Sequence, residues 1–295
     1  AALAAGNVNQ PAGDYDEAIT LGDTPLELAG RCPSMVRLHT SADAAVSISG
    51  AASITVRGMT LSGSGAGVEV VSGHALLRDL HLVDLGSFGV VAVTQGRDAS
   101  VAIDNVRIER TVDVGVLVLG AEANIDHSVI SQVAPTPSGQ FGRGIDVEYF
   151  SGRRGVLSVT GSVVEQVRQH GIYISGSDAN IDRVLVRDVA FGSSVDAGHG
   201  IHARRHDAGE PSATIVRHSM VERVVDTAIY ARAGSIEVAQ CTLRDVLGAP
   251  GNGVGYGLSL QGDEAGPAPA SVVQTKVERA QSVGITTFGA ATTLA

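Results

Sequence analysis

Gly144-Ile145-Asp146-Val147 recurs as Gly171-Ile172-Tyr173-Ile174 and again as Gly200-Ile201-His202-Ala203. In each copy a small residue is followed by alternating apolar and polar residues, the pattern of a β-strand with one buried face. The phrase continues toward both ends of the chain as Gly67-Val68-Glu69-Val70, Gly89-Val90-Val91-Ala92, Gly115-Val116-Leu117-Val118, Ala228-Ile229-Tyr230-Ala231, Gly257-Leu258-Ser259-Leu260 and Gly284-Ile285-Thr286-Thr287. Copies spaced 22 to 29 residues apart predict a solenoid in which each repeat forms one coil.

Two further apolar pairs accompany the phrase. One opens the coil, as Ile54/Val56, Ala75/Leu77, Val101/Ile103, Ala123/Ile125, Leu157/Val159, Ala179/Ile181, Ala213/Ile215, Ile236/Val238 and Ala270/Val272. The other follows after a turn, as in Met59/Leu61, Leu80/Leu82, Val106/Ile108, Val184/Val186 and Cys241/Leu243. Three short strands per coil predict a triangular cross-section with like residues stacked. A β-sandwich is disfavoured, because hairpins need short turns at regular spacing and do not repeat one phrase along a chain.

The repeat resembles that of the right-handed parallel β-helix superfamily, which includes pectate lyases, polygalacturonases, alginate epimerases and many unassigned surface proteins. We therefore predict an all-β chain, a single-stranded right-handed parallel β-helix of about ten coils with three strands each. Residues 1–295 are interpreted as one solenoid, with N-terminal coils over 1–50 and regular coils over 51–290. The last coil reads as cut short, so we expect a fragment of a longer chain. The resemblance implies an extracellular or cell-surface location.

Composition agrees with thin layers of small apolar side chains. The chain is 44% apolar but only 3% aromatic and has no Trp, so Val, Ile, Ala and Leu must fill the core. A formal net charge of −10 argues against nucleic acid as a partner, since phosphate binding needs a basic surface. No apolar run approaches the length of a membrane span.

Coil length alternates from Ala123 onward, with steps of 34, 22, 34, 23 and 34 residues between opening strands. Each long coil carries an insertion on either side of the recurring phrase. Before it lie residues 134–143, 190–199 and 247–256, and after it lie residues 149–155, 205–211 and 262–269. Loops on both sides of one sheet predict the walls of a groove, and binding residues favour such loops.

The outward positions of the recurring strand predict the floor of that groove. In the middle coils they gather carboxylates, imidazoles, guanidinium groups and phenols, side chains suited to proton transfer and to holding sugar acids. We predict His170, His199 and His202 as catalytic residues. We predict that an acidic polysaccharide is bound by Arg143, Asp146, Glu148, Tyr173, Arg204, Tyr230 and Arg232. A Ca²⁺ bridge at Asp146 and Glu148 is an option that this function does not require.

One local motif has a more specific resemblance. Gly198-His199-Gly200-Ile201 is similar to the Gly-His-Gly segment of polygalacturonases and stands at the corresponding phase of the coil. The Asn-Thr-Asp, Asp-Asp and Arg-Ile-Lys segments of that family are missing, so hydrolysis by its mechanism is not predicted. A lyase or epimerase of uronates would instead use His, Tyr or Arg as acid and base. His199, His202 and His206 are close enough in sequence to suggest zinc, but we interpret them as surface histidines and predict no metal site.

Two alternatives stay open. The chain could be a non-catalytic structural or adhesive stalk of a larger surface protein, which the absence of Trp favours because sugar stacking usually uses large aromatic rings. Separately, the early coils are apolar on the outward face, at Val71, Val91, Val93, Leu117 and Leu119. An exposed strip of this kind is usually covered, so we predict that a second copy of the chain or a missing domain covers it, with the chain's own N-terminal segment as the alternative.

Overall fold

The computed structural model describes residues 6–192, 198–251, 253–264, 266 and 268–295. Regular secondary structure among these residues consists of β-strands, which wind through three parallel sheets, named A, B and C in the order in which a coil visits them. None of the described residues forms a helix long and apolar enough to cross a membrane.

Every coil contributes one strand to each sheet. Sheet A consists of β1 (Gly6–Gln10), β4 (Leu26–Gly30), β7 (Ser53–Arg57), β10 (His74–Arg78), β13 (Ser100–Asp104), β16 (Glu122–Asp126), β19 (Val156–Thr160), β22 (Asp178–Asp182), β25 (Ala213–Arg217), β28 (Ser235–Ala239), β31 (Ala268–Val273) and β34 (Ala290–Leu294). Sheet B consists of β2 (Gly13–Asp16), β5 (Val36–Thr40), β8 (Thr60–Gly63), β11 (His81–Leu85), β14 (Arg107–Val112), β17 (Val129–Ala134), β20 (Val163–Arg168), β23 (Leu185–Ala190), β26 (Met220–Val225), β29 (Thr242–Leu247) and β32 (Lys276–Ala280). Sheet C consists of β3 (Ile19–Leu21), β6 (Ala44–Ser49), β9 (Ala66–Val71), β12 (Val90–Val93), β15 (Val114–Leu119), β18 (Arg143–Glu148), β21 (His170–Ser175), β24 (His199–Arg204), β27 (Thr227–Arg232), β30 (Tyr256–Gln261) and β33 (Val283–Phe288).

The recurring phrase forms the strands of sheet C, and the predicted column of inward residues is confirmed. Ile145 pairs with Ile172, and Ile172 pairs with Ile201. The inward column is buried from Val68 to Leu258, and Ile285 at its end is half-buried. The described chain forms eleven coils, close to the ten predicted, because residues 6–49 already supply two.

The glycine that opens the phrase is required by close packing rather than by a positive φ. A Cβ on Gly171 would lie 2.4 Å from Cγ1 of Val186 and 2.5 Å from the carbonyl oxygen of Gly200, both on the next coil. The repeated glycine therefore lets consecutive coils and the inward valines of sheet B approach one another.

One predicted register in sheet A was wrong. The sequence pattern placed Ala213 and Ile215 inward, but Ala179 pairs with Thr214 and Ile181 pairs with Val216, both of which are buried. A hydroxyl-bearing residue at an inward position hid the alternation, and a shift of one residue exchanges the two faces of a strand. With Thr214 inward, both short coils are 22 residues long.

The corner between sheets A and B is built from a column of residues with left-handed backbone. Their φ angles lie between 45° and 57° in eight consecutive coils, at Asp79, Asn105, His127, Gly161, Arg183, His218, Gln240 and Gln274. Only one of these is glycine, so ordinary side chains adopt this conformation repeatedly, although it is disfavoured for L-residues. The chain turns in the same way at this corner in every coil from the fourth onward.

The apolar residues on the outward face of the early sheet C strands are not fully exposed. Val91 and Val93 are buried, and Val71, Leu117 and Leu119 are half-buried. Cover by a second copy or by a further domain stays a prediction, which light scattering of the purified chain can test.

Replacing Ile172 by Asp should lower the free energy of unfolding by more than about 3 kcal/mol, because the new carboxylate would be buried without a partner. The matched control is Val156→Asp, at an outward position that is 45% exposed, which should change stability by less than about 1 kcal/mol. Both are measured by denaturant unfolding. Equal effects at the two positions would contradict the register.

Candidate functional site

The outward side chains of sheet C form three adjacent columns across the middle coils. Asp146, Tyr173, His202 and Tyr230 align from strand to strand in the first column. The second column aligns Glu148, Ser175, Arg204 and Arg232. In the third column, His170 pairs with His199, and Arg143 lies at the matching position one coil earlier. The structure thus brings together, on one face, all ten residues that the sequence pointed to.

Five aromatic rings pack together at the centre of this face. His170 is stacked on Tyr173 and His199, with ring centroids 5.0 and 5.3 Å apart. His199 is in turn stacked on Tyr230 at 4.9 Å. His202 makes T-shaped contacts with the other four rings, at centroid distances of 4.7 to 5.2 Å. We refer to His170, His199 and His202 as the histidine cluster.

Asp226 is a site residue that the sequence prediction missed. Its Oδ2 lies 3.0 Å from Nε2 of His199, and Nδ1 of His199 lies 3.2 Å from Nδ1 of His202. Because a carboxylate only accepts, His199 donates to Asp226 from Nε2, and its Nδ1 is hydrogen-bonded to Nδ1 of His202. Asp226 immediately precedes a sheet C strand and has a φ of 93°. The available signal was weak: Asp113 and Gln169 occupy this position in two other coils, whereas Gly142, Gly198 and Gly255 occupy it in the long coils.

Burial controls the electrostatics of the histidine cluster. His170 and His199 are less than a tenth exposed, although they belong to the outward face. Burial, reinforced by the charges of neighbouring groups, holds the pKa of His170 and of His202 well below the usual range. Nδ1 of His170 and Nε2 of His202 are buried and have no hydrogen-bond partner among the described residues. At neutral pH His170 and His202 are therefore uncharged, and each has a buried ring nitrogen that makes no hydrogen bond with the described residues.

Arg143 belongs to a closed cluster of its own. Its guanidinium lies between the rings of Phe141 and Tyr173, with centroid distances of 4.9 and 4.0 Å, and is only 2.6 Å from Oδ2 of Asp146. Glu148 is 3.6 Å away on the same side. Arg143 is buried, so its charge is neutralised within the protein. The carboxylates of Asp146 and Glu148 do not fit a Ca²⁺ bridge in this arrangement, because the guanidinium already faces both.

A groove of about 790 Å³ lies beside the histidine cluster on sheet C. Five of the ten predicted residues line it, namely His199, His202, Arg204, Tyr230 and Arg232. Residues 205–207 and Gly209, in one predicted loop, also line it. The other five predicted residues lie outside its lining. Residues 193–197, 252, 265 and 267, which belong to three of the predicted loops, lie outside the described residues.

The charged side chains of the groove are partly paired. Arg205 donates from Nε to Asp263 at 3.1 Å, and Arg204 pairs with Asp207, whose side chain is 86% exposed. Arg232 is exposed and makes no ion pair with the described residues. The groove floor therefore presents two adjacent guanidinium groups, that of Arg232 without an ion pair among the described residues and that of Arg204 paired only with the exposed Asp207.

His206 and a second concavity do not extend this chemistry. His206 packs against Tyr149, with ring centroids 5.4 Å apart, and is not part of the histidine cluster. A concavity of about 720 Å³ lies on sheet A, but its lining is mostly small and uncharged, with Asp178 and Glu237 as its titratable residues. The sheet C groove is therefore the better candidate for a functional site.

The family comparison agrees with the fold. The model of the right handed beta helix region matches residues 34–184, just over half of the chain. No curated protein sequence gives a significant match.

Several solved structures are similar in fold at low sequence identity. The A-module of the Azotobacter vinelandii mannuronan C-5 epimerase AlgE4 is 12% identical with a TM-score of 0.60, over 99% of this chain and 91% of that module. Pectate lyase Pel9A is 12% identical with a TM-score of 0.51, over 94% of this chain and 69% of the lyase. The Dettilon tailspike protein is 13% identical with a TM-score of 0.59, over 92% of this chain and 55% of the tailspike. These similarities establish the architecture.

Asp146 should make the folded protein less stable as the pH rises, the reverse of what a carboxylate in an ordinary ion pair does. Burial raises the pKa of its carboxyl to about 7, although Arg143 opposes the shift. As the pH rises from about 4 to 7, the unfolded chain releases this proton and the folded chain retains it, so folding is progressively penalised. The stability of Asp146→Asn relative to the native protein should therefore increase over this range, as measured by thermal unfolding at each pH.

The matched control is Asp245→Asn. The hydrogen bonds from Arg279 lower the pKa of Asp245, so this carboxylate stabilises the fold above its unfolded pKa and loses that effect as the pH falls. The stability of Asp245→Asn relative to the native protein should therefore decrease as the pH rises to about 4 and should stay nearly level from there to pH 7. A difference for Asp146→Asn that is flat between pH 4 and 7 would contradict the assignment.

Proposed function

The chain belongs to the right-handed β-helix family, and we propose that it binds an acidic polysaccharide, outside the cell or at its surface, in the sheet C groove. The observation that carries the proposal is the groove itself, where Arg204, Arg232 and Tyr230 lie side by side on adjacent strands. Its volume of about 790 Å³ lies within the range usual for ligand sites.

The position of the arginines, rather than the net charge of the groove, favours an anionic ligand, because the lining holds three arginines and three aspartates. The chain as a whole has a formal net charge of −10, yet Arg232 is exposed in the groove without an acidic partner among the described residues. Arg204 is paired with Asp207, which is so exposed that water already competes for it. A sugar carboxylate can take the place of Asp207 and gain charge-assisted hydrogen bonds from both guanidinium groups.

Tyr230 supplies the apolar part of the proposed contact. It is half-buried on β27, the strand that also bears Arg232, and its hydroxyl donates to Oε1 of Gln261 at 3.0 Å, which restrains the ring. An amphipathic ring held in this way can pack on a sugar face while its polar end remains hydrogen-bonded. Two structural neighbours are named for polysaccharides, mannuronan and pectate, which supports the choice of ligand class.

Proton transfer on the bound sugar is a second candidate, favoured by the hydrogen-bonded series from Asp226 through His199 to His202. A carboxylate that orients one imidazole of a hydrogen-bonded pair is an arrangement suited to a general base. Such a base would serve a lyase or an epimerase of uronates, in which the proton next to the sugar carboxylate is removed.

Arg204→Ala and Arg232→Ala should each weaken binding of polyuronate oligosaccharides about tenfold or more, since each removes a charged hydrogen-bond donor. The control is Arg217→Ala, a similarly exposed arginine on sheet A that pairs with Glu237. Affinities are measured by calorimetry with mannuronate and galacturonate oligomers, with neutral oligomers for comparison. His199 is left intact because it is buried and a change there can alter stability.

The outcomes separate the functions. Binding together with unsaturated or epimerised products, lost in Asp226→Asn, would establish the catalytic candidate. Binding without products would leave a recognition protein. If no acidic glycan binds, or if Arg217→Ala weakens binding as much as the groove variants do, the proposal fails and the structural or adhesive stalk becomes the better account.

A further inference from the structure

We propose that the histidine cluster is a binding site for a divalent transition-metal ion of the zinc type, held by His170, His199 and His202. One nitrogen of each of the three rings lies within 4.8 Å of the others. Imidazole nitrogen is a preferred ligand of Zn²⁺ and of its neighbours in the first transition row. The site goes beyond glycan binding and does not depend on it.

The separation of two of the ring nitrogens fits a shared ion. Nδ1 of His199 and Nδ1 of His202 are 3.2 Å apart. In a tetrahedral zinc site, with Zn–N bonds of about 2.0–2.1 Å, neighbouring ligand nitrogens are about 3.3 Å apart. The two rings are therefore already spaced as ligands of one ion, and Nε2 of His202 would then carry its proton.

His170 supplies a third nitrogen that the fold leaves unused. Its side chain is buried, and its Nδ1 has no hydrogen-bond partner among the described residues. Buried polar atoms are normally satisfied, and an unsatisfied one calls for an unseen water or ion. His170 pairs directly with His199 across sheet C, so the two rings stack on adjacent strands with their centroids 5.3 Å apart.

Asp226 completes the arrangement expected around such an ion. A metal-binding imidazole usually donates its second N–H to a carboxylate, which fixes the ring and raises its basicity. His199 makes this contact with Asp226 through Nε2 at 3.0 Å, so its Nδ1 remains directed to the cluster. Three nitrogen ligands leave one position of a tetrahedral ion for water or for an oxygen atom from the groove, which His199 and His202 also line.

The experiment uses the complete chain, stripped of metal with a chelator and then titrated with Zn²⁺ by calorimetry and with Co²⁺ by visible absorption. We expect one ion per chain at this site and intense Co²⁺ bands typical of tetrahedral coordination. His170→Ala and His202→Ala should each weaken Zn²⁺ binding at least 100-fold. Asp226→Asn, which leaves all three ligands in place, should weaken it 10- to 100-fold.

Two histidines provide matched controls. His206→Ala alters a groove histidine outside the cluster, and His127→Ala alters a second group of potential ligands, formed with Asp104 and Asp126. Neither change should affect the affinity or the Co²⁺ spectrum. Because His170 is buried, each variant is first checked for native melting, and Asp226→Asn tests the proposal even if His170→Ala does not fold.

The proposal is overturned if the native protein takes up neither ion, or if its uptake is lost in His127→Ala and retained in His202→Ala. It is also overturned if Asp226→Asn binds Zn²⁺ as tightly as the native protein. No glycan enters these measurements, so their failure would leave the groove proposal standing, and loss of glycan binding would leave the metal site standing.

Discussion

The in-register parallel pairing of one coil with the next is the constraint on which this molecule depends. Adjacent parallel strands lie about 4.8 Å apart, so each side chain has as its nearest neighbours the side chains at the same position of the coils above and below. A position is therefore acceptable only if its side chain packs against the side chains at the same position of the adjacent coils. The inward columns of Val and Ile satisfy this rule, as does the glycine that admits Val186 and the backbone of Gly200 beside Gly171.

The same constraint makes the candidate site. Successive rings on the outward face have no freedom to separate, so His170, His199 and Tyr230 stack at 4.9 to 5.3 Å. Packing of this density buries imidazoles that would be solvated on a globular protein surface. The same packing lowers the pKa of His170 and His202 and leaves one ring nitrogen of each without a hydrogen-bond partner among the described residues. It also buries the ion pair between Arg143 and Asp146. The burial and pairing of the site residues thus follow from the stacking of consecutive coils, and the long loops add the wall of the groove.

The sequence was informative wherever a property repeats from coil to coil. The three strands, the inward column and the outward columns could all be predicted, since a repeated phrase averages out local exceptions. Prediction was wrong at Thr214, where a single hydroxyl concealed the register. It also could not foresee contacts made across coils by residues without a repeated pattern. Asp226, which immediately precedes β27, contacts His199 of the preceding coil, and no repeated phrase marks that contact.

The in-register stacking also determines how such a chain can change in length. Deleting one residue within a strand would shift every later side chain in that strand to the opposite face, whereas deleting a complete coil would leave all columns in phase. Removal of residues 157–178 would place Ala179 where Leu157 now pairs, so the solenoid could close again one coil shorter. That chain would lose His170 and Tyr173 and bring Asp146 next to His202. Gain or loss of whole coils can therefore change the chemistry of the sheet C face in a single step while the core is conserved.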